Sequence, residues 1–440
     1  MARSARYDWE VKQGDVHTAF LAPDIDVELY ARIPHGFHNS DECEAITDED
    51  ERSKGTVRKV LKGLPGLPQG SYLFRNKAHG VITAAGMRNI PDDHAIYFVP
   101  GRQIYLAVWV DDFFMFFASG EAGPAANIWK KLQSQLDLSD WKDVDDVLGC
   151  QILRDRKNNK IFLSQEKATL ALLEKAGMQN SRPVDTPVAA GFVFTKDDCP
   201  GPQPETRERA ESVTRFRSLL ASVIYLCAWT RPDLAFFQSK LSKFMQNPGE
   251  KHFEALKRGL RYLKGTAHYG LVYSFAGRPA KTGVYGYYDA SFADDIDTRR
   301  STMAYTFFLD GCPISWRSKL HTYVTTSTNH SEYCAAAKAA REAKYFEKVF
   351  LSLNFSDAVK PIDLFSDSAG AIAMSMNPVH REASKHIALA DHYVREQVAS
   401  KTITITHVPT SAMIADLLTK PLAKIMFRKH ASHLIAKIHD

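Results

Sequence analysis

The segment I-Y-L-A-V-W-V-D-D-F-F-M-F-F, residues 104–117, limits most strongly what this chain can fold into. Seven apolar residues lead to Asp111 and Asp112, and five follow. Short apolar runs rich in β-branched and aromatic side chains read as buried strands, and two strands around a short polar break read as a hairpin. Asp-Asp is a poor hairpin turn beside Asn-Gly or Asp-Gly. Buried charges without partners cost several kcal/mol each. The residues alone leave two readings open: an exposed turn that happens to be acidic, or a turn that holds a divalent cation.

The rest of the chain bears on that choice. Its 440 residues are enough for two or three domains. A hydrophobic share of 45% and a charged share of 24% are globular values, and a net charge of +5 permits nucleic-acid binding without establishing it. Six cysteines, at positions 43, 150, 199, 227, 312 and 334, form no C-x-x-C pair. That excludes a zinc-ribbon spacing and suits a reducing compartment. No run of roughly 18 apolar residues is present, and the N-terminus lacks an apolar signal core.

Trp109-Val110-Asp111-Asp112 resembles the aromatic-x-Asp-Asp motif of reverse transcriptases. The surrounding text resembles the copia-type LTR retrotransposon Pol polyprotein over nearly the whole chain. In W-E-V-K-Q-G-D-V-H-T-A-F, residues 9–20, a short strand ends at Asp15, similar to the family's first polymerase motif. The resemblance implies that Asp15, Asp111 and Asp112, with the carbonyl of Val16, hold two Mg²⁺ ions for phosphoryl transfer. L-P-G-L-P-Q-G-S-Y-L-F, residues 64–74, resembles a segment that opens a helix beside the template. It implies template or nucleotide contacts at Gly66, Gln69 and Gly70, with Pro65 standing where the family has Tyr.

An amphipathic helix is predicted over 125–136 and another over 166–176. Residues 41–54 form an acidic tract without assigned chemistry. Three helices are predicted between 216 and 265. The last has an apolar face of Phe253, Leu256, Leu260 and Leu263. Its other face carries Lys251, Lys257, Arg258, Arg261 and Lys264. Alone, that face reads equally as solvated surface. The strings T-R-P-D and R-Y-L-K-G-T resemble the family's connection region and imply a surface that tracks nucleic-acid backbone.

From Thr282 the pattern predicts strands at 282–289, 302–309, 322–327, 362–366 and 402–407. Helices are expected at 331–350, 368–376, 384–399 and 411–418. Three strands followed by alternating helices and strands suggest an α/β fold with a mixed sheet. D-A-S-F-A-D-D, I-S-W-R-S-K, S-E-Y-C-A-A, K-H-I-A-L-A-D-H and A-D-L-L-T-K-P-L follow in order. Their acids resemble the Asp-Glu-Asp-Asp site of ribonuclease H. This implies Asp289, Glu332, Asp367 and Asp416 as catalytic metal ligands. Ser368 and Asp294 depart from the family's usual Asn and Gly. His386, His392 and His407 read as structural rather than zinc ligands.

The expected fold class is α/β: an α+β palm with a helical connection, followed by a ribonuclease H-like α/β domain with a mixed sheet. The expected domains are a partial reverse transcriptase palm over 1–188, a linker and helical connection over 189–281, and a ribonuclease H-like domain over 282–440. The implied function is RNA-directed DNA polymerisation with cleavage of RNA in RNA–DNA hybrids. Mg²⁺ is the expected cofactor, two ions per site, with Mn²⁺ as its substitute. Expected partners are an RNA template, a DNA primer, an RNA–DNA hybrid and other retroelement polyprotein parts, with no membrane. The expected location is the cytoplasm, virus-like particles or the nucleus. Only fourteen residues precede Asp15, where the family carries a fingers region. That keeps a second reading: a catalytically inactive or domesticated relic that binds nucleic acid.

Overall fold

The computed structural model describes residues 1–32, 57–201, 206–274, 281–359, 361–376 and 388–438. The acidic tract 41–54 and the start of the helix expected at 384 lie outside the described residues. So do His386 and the side chain of His392. The chain divides into two compact units, one of Trp9–Val144 and one of Met1–Asp8 with Asp145–Asp440. No described helix is long and apolar enough to cross a membrane.

In the first unit the apolar runs pair as antiparallel strands. They are β1 (Glu10–Asp15), β2 (Arg88–Ile90), β3 (Asp93–Phe98), β4 (Ile104–Trp109), β5 (Asp112–Phe117) and β6 (Lys142–Asp143). They lie in the order β2-β3-β4-β5-β1-β6. Helices α1 (Gly70–Ala84) and α2 (Ala122–Gln133) bury Phe74, Ile82, Trp129 and Leu132 against Leu106, Phe113, Met115 and Phe117. The central hairpin differs from the expected one. Trp109 pairs with Asp112, so the turn is Val110-Asp111 and Asp112 opens the second strand. Val110 takes φ +54°, in the left-handed region that a β-branched residue rarely adopts.

The second unit contains two further sheets. One comprises β7 (Asp146–Val147), β8 (Cys150–Asp155), β9 (Lys160–Ser164), β10 (Tyr269–Ser274) and, from the C-terminal end, Ala436–Lys437. The other comprises β11 (Val284–Ser291), β12 (Thr302–Leu309), β13 (Cys312–Leu320), β14 (Ile362–Ser366) and β15 (Ile403–His407). Its order is β13-β12-β11-β14-β15. The first three strands are antiparallel, while β14 pairs parallel with both β11 and β15. The sheet is therefore mixed, as expected. Every residue of β12 is buried, which fits an inner strand covered on both faces.

Two expected elements are corrected. The third strand is Cys312–Leu320 rather than 322–327. Asp310 and Gly311, at φ +53° and +81°, make a two-residue turn that returns the chain directly beside β12. Positive φ at both positions is the type I′ geometry that Asp-Gly favours. The helix expected at 411–418 is two 3₁₀ segments, Thr410–Ala412 and Ile414–Leu418. Pro409 and Pro421 bracket them, and each proline restricts continuation of an α-helix through its neighbourhood.

The described helices of this unit are α3 (Glu166–Lys175), α4 (Arg207–Trp229), α5 (Ala235–Leu241), α6 (Glu250–Gly265), α7 (Thr328–Ser352), α8 (Ala369–Met376), α9 (Ala388–Ala399) and α10 (Lys424–Ala431), with Ala2–Tyr7 at the front. One core joins Leu220, Leu226, Phe237, Leu256 and Leu263 of α4 to α6 with Phe308 of β12 and Leu417 and Leu418. The Trp316 indole donates to the Cys227 carbonyl at 2.8 Å. The helices read as a connection and the four-acid sheet thus belong to the same compact unit. A buried network fixes the turn before α5. Arg231 and Asp233 pair at 2.8 Å, the Tyr262 hydroxyl donates to Asp233 at 2.6 Å, and Arg231 reaches the Thr266 carbonyl at 2.9 Å.

Candidate active site

The sheet register of the second unit brings its acids together. Along the parallel pair, Tyr287 of β11 stands beside Phe365 of β14. Asp289 and Asp367 each follow two residues later, so both carboxylates leave the same end of adjacent strands. Glu332 arrives from α7. The Ser327 hydroxyl caps this helix by accepting from the His330 backbone N–H. A run of small residues, Ala335, Ala336, Ala337, Ala339, Ala340 and Ala343, is buried along the helix. Small side chains allow the helix backbone to approach the sheet closely. Carboxylate oxygens of Asp289, Glu332 and Asp367 lie within 4.8 Å of one another. Among the described residues this is the only group of three such ligands at that spacing.

The site is largely dry: Asp289 is 1% exposed and Glu332 9%. The Thr419 hydroxyl donates to Asp289 Oδ2, and the Thr410 hydroxyl donates to Asp367 Oδ2 at 2.7 Å. Lys420 Nζ lies 3.3 Å from Asp289 Oδ2 and 2.8 Å from Asp416 Oδ1. Asp416 stands outside the group of three and is tied to it through this ammonium. Asp289 Oδ1 and Glu332 Oε2 are buried without a hydrogen-bond partner. Burial, then the charges of Asp289 and Asp367, push the Glu332 carboxyl up to about 9. Burial and Asp289 push Asp416 up to about 6. Burial opposes the Lys420 ammonium, but Asp289 and Asp416 more than offset it and its pKa rises. Orphaned, converging oxygens with this repulsion fit a hard divalent cation, which prefers oxygen ligands and would lower the energy of all three charges.

The first unit arranges its acids differently. Asp15 and Asp112 are paired Cα partners on neighbouring strands, and the Val16 backbone N–H donates to the Asp111 carbonyl at 2.9 Å. Asp15, Asp111 and Asp112 are thus on adjoining backbone, but their ligand oxygens do not form a group of three within 4.8 Å. Gly66 takes φ +92° after Pro65, with Leu67 N–H donating to the Leu64 carbonyl at 3.2 Å. Pro at the second turn position and Gly at the third make a type II turn. Gln69 is the residue before α1 and Gly70 begins it. A Cβ on Gly70 would stand 3.2 Å from the Phe20 ring.

The basic side chains of α6 are less free than the sequence suggests. Lys251 pairs with Asp198 at 2.5 Å, Arg258 donates to the Thr186 hydroxyl at 2.9 Å, and Arg261 donates to the Arg182 carbonyl at 2.7 Å. These three tie the helix to its own unit. Among the described residues Lys257 and Lys264 make no ion pair, and Lys257 is exposed. Thr410, Thr419 and Lys420 were missed by sequence reasoning. The signal for Lys420 was its place four residues after Asp416, on the same side of a helical turn.

A family profile described as reverse transcriptase (RNA-dependent DNA polymerase) matches residues 1–190. The Retrovirus-related Pol polyprotein from transposon TNT 1-94 of Nicotiana tabacum is 33% identical over 430 residues, covering 97% of this chain and 31% of the relative. The corresponding polyprotein from transposon RE2 of Arabidopsis thaliana is 30% identical, covering 96% of this chain and 27% of the relative. This chain thus spans under a third of the length of those relatives. The crystal structure of RNase H1 from Halobacterium salinarum aligns at a TM-score of 0.23 and 18% identity over 31% of this chain and 93% of that one, a likeness too weak to bear on the fold. Identity at this level from the first strand to the last acid makes nearly the whole chain similar to one part of the Pol polyproteins of copia-like retrotransposons.

Proposed function

We propose that the second unit hydrolyses phosphodiester bonds of RNA in an RNA–DNA hybrid. The observation that carries this is the convergence of Asp289, Glu332 and Asp367 with two orphaned carboxylate oxygens. These three residues, with Asp416, would hold two Mg²⁺ ions. Bound there, the ions supply Lewis-acid activation of water and stabilisation of charge on the phosphate. The chain's own part is positioning. Thr419 and Lys420 orient Asp289, and Thr410 orients Asp367. The Glu332 carboxyl, raised by burial and by Asp289 and Asp367, would give up its proton on binding a cation. Contacts with the 2′-hydroxyl and the duplex shape would tell RNA from DNA.

A second activity is favoured by the match over 1–190: RNA-directed DNA polymerisation at Asp15, Asp111 and Asp112 with the Val16 carbonyl. Template contacts would come from Gly66, Gln69 and Gly70. Lys251, Lys257, Arg258, Arg261 and Lys264 would contact nucleic-acid backbone. In this reading 1–188 is the polymerase palm, 189–281 the connection and 282–440 the nuclease. The RNA template, the DNA primer and the cytoplasmic or particle location belong to the same proposal. The nuclease reading is tested by incubating the purified chain with Mg²⁺ and an RNA–DNA hybrid. The expected result is cut RNA, abolished by Asp367→Asn in a chain that still melts cooperatively. An intact hybrid with folded, Mg²⁺-loaded protein would favour a binding relic.

A further inference from the structure

A second charged feature of this unit lies away from the acids. Arg317 and Lys319 alternate along the edge strand β13, so both leave the same face of the sheet. Across the ladder Arg317 stands opposite Tyr305 and Lys319 opposite Met303. Helix α7 supplies Lys338 above the same face. Together with His321 they line a cavity of about 80 Å³. Arg317, Lys319 and Lys338 are exposed, while Tyr305, Met303 and His321 form a buried floor.

Arg317 reaches the Glu342 carboxylate only through the Tyr305 hydroxyl between them. None of Arg317, Lys319 and Lys338 makes an ion pair within 4 Å among the described residues. Glu342, on the same helix, has one oxygen accepting from the Ser315 hydroxyl at 2.7 Å and the other from the Tyr305 hydroxyl at 3.2 Å. Although the Lys338 side chain is exposed, partial desolvation of its ammonium and then the charges of Arg341, Arg317 and Lys319 hold its pKa below the usual value. Like charges gathered round a small cleft create a field that a bound anion would relieve.

We propose that this cleft binds a backbone phosphate of a nucleic-acid duplex. Arg317, Lys319 and Lys338 would be its cationic ligands. The cleft has room for one tetrahedral oxyanion between the three cations. It shares α7 with the acid site, since Lys338 lies six residues beyond Glu332. That is about 9 Å along the helix axis, or roughly three base-pair rises of a duplex. The proposal deepens the nuclease reading: a phosphate held here would fix how far the duplex is advanced across Asp289, Glu332 and Asp367.

The test is equilibrium binding of an RNA–DNA hybrid by fluorescence anisotropy in EDTA, where no cleavage occurs, over a series of salt concentrations. The full chain is compared with the double variant Lys319→Gln/Lys338→Gln. The control, Lys157→Gln/Lys167→Gln, removes the same charge from exposed positions elsewhere in the unit. The slope of log K against log[salt] should flatten by about one unit in the cleft variant, the value for one phosphate contact, and hold in the control. An unchanged slope in the cleft variant, an equal fall in the control, or no salt-dependent binding by the wild type would overturn the proposal. Hybrid cleavage is assayed in parallel with Mg²⁺. A wild type that binds with the expected slope difference but does not cut would sink the nuclease reading and leave the phosphate site standing.

Discussion

Replacing Glu332 by glutamine should stabilise the protein in the absence of divalent cations. Glu332 is 9% exposed, and one of its oxygens has no partner. Its carboxyl is pushed up to about 9 from an ordinary value of 4.5, first by burial and then by Asp289 and Asp367. A raised folded-state pKa means that the fold keeps a proton which the unfolded chain has released. Stability from this group is therefore complete below pH 4.5 and declines as pH rises toward 9. At pH 7 the loss depends only on the distance from the unfolded pKa, as long as the folded pKa stays above 7. Each pH unit is worth about 1.4 kcal/mol, so the loss is about 3 kcal/mol. The glutamine side chain keeps the shape and carries no titrating proton. Urea midpoints of wild type and Glu332→Gln in EDTA, from pH 4.5 to 8, should coincide at the acid end and separate steadily in favour of the variant. Mg²⁺ should reverse the order, because it stabilises the wild type by ligand linkage and finds one ligand charge fewer in the variant. A difference that does not vary with pH, or a variant less stable throughout, would refute the reasoning.

Two further outcomes follow from the same contacts. Lys420→Met leaves Asp289 and Asp416 without their shared ammonium. The side chain of Lys420 is 36% exposed, so water screens part of the interaction. A loss of about 1–3 kcal/mol in EDTA is expected, less than for a fully buried pair, with partial recovery as Mg²⁺ is titrated in a thermal melt. Asp233→Asn strands the buried Arg231 charge, whose side chain is 1% exposed against 0% for Asp233. It should lower stability by about 3–5 kcal/mol in urea unfolding, and Arg231→Met in the same chain should restore part of it.

Much of the fold could be read from local pattern. The helices at 166–175 and 369–376 and the strands at 302–309 and 362–366 lie within a residue or so of their expected spans. Strong periodicity between clear breakers fixes such elements locally. The third strand of the mixed sheet was misplaced because the Asp310-Gly311 turn was passed over, although that dipeptide is a strong hairpin signal. At the central hairpin the displacement has another cause. Val110 accepts a left-handed backbone that its own side chain disfavours, at a cost on the order of 1–3 kcal/mol. Pairing of Trp109 with Asp112 and of Asp112 with Asp15 overrides the local preference. The basic face of α6 was legible as charge, but not as bonded charge. Asp198, Thr186 and the Arg182 carbonyl are 53 to 79 residues away in the chain.

The sequence by itself determined which residues could be ligands. Asp289, Asp367 and Asp416 sit at the ends of apolar runs or within a short turn between prolines, and Glu332 opens an alanine-rich helix. Spacing of this kind depends only on covalent order and local propensity. The tertiary structure decided which of these acids meet. Parallel pairing of β11 with β14 sets Asp289 beside Asp367, and close packing of α7 adds Glu332. Asp416 is held one step back, with Lys420 between it and Asp289. The same packing removes water and so raises the Glu332 pKa. A charge's energy depends on what surrounds it in space, and at this site the surroundings come from segments far apart in the chain, as with Thr419 and Asp289, 130 residues apart.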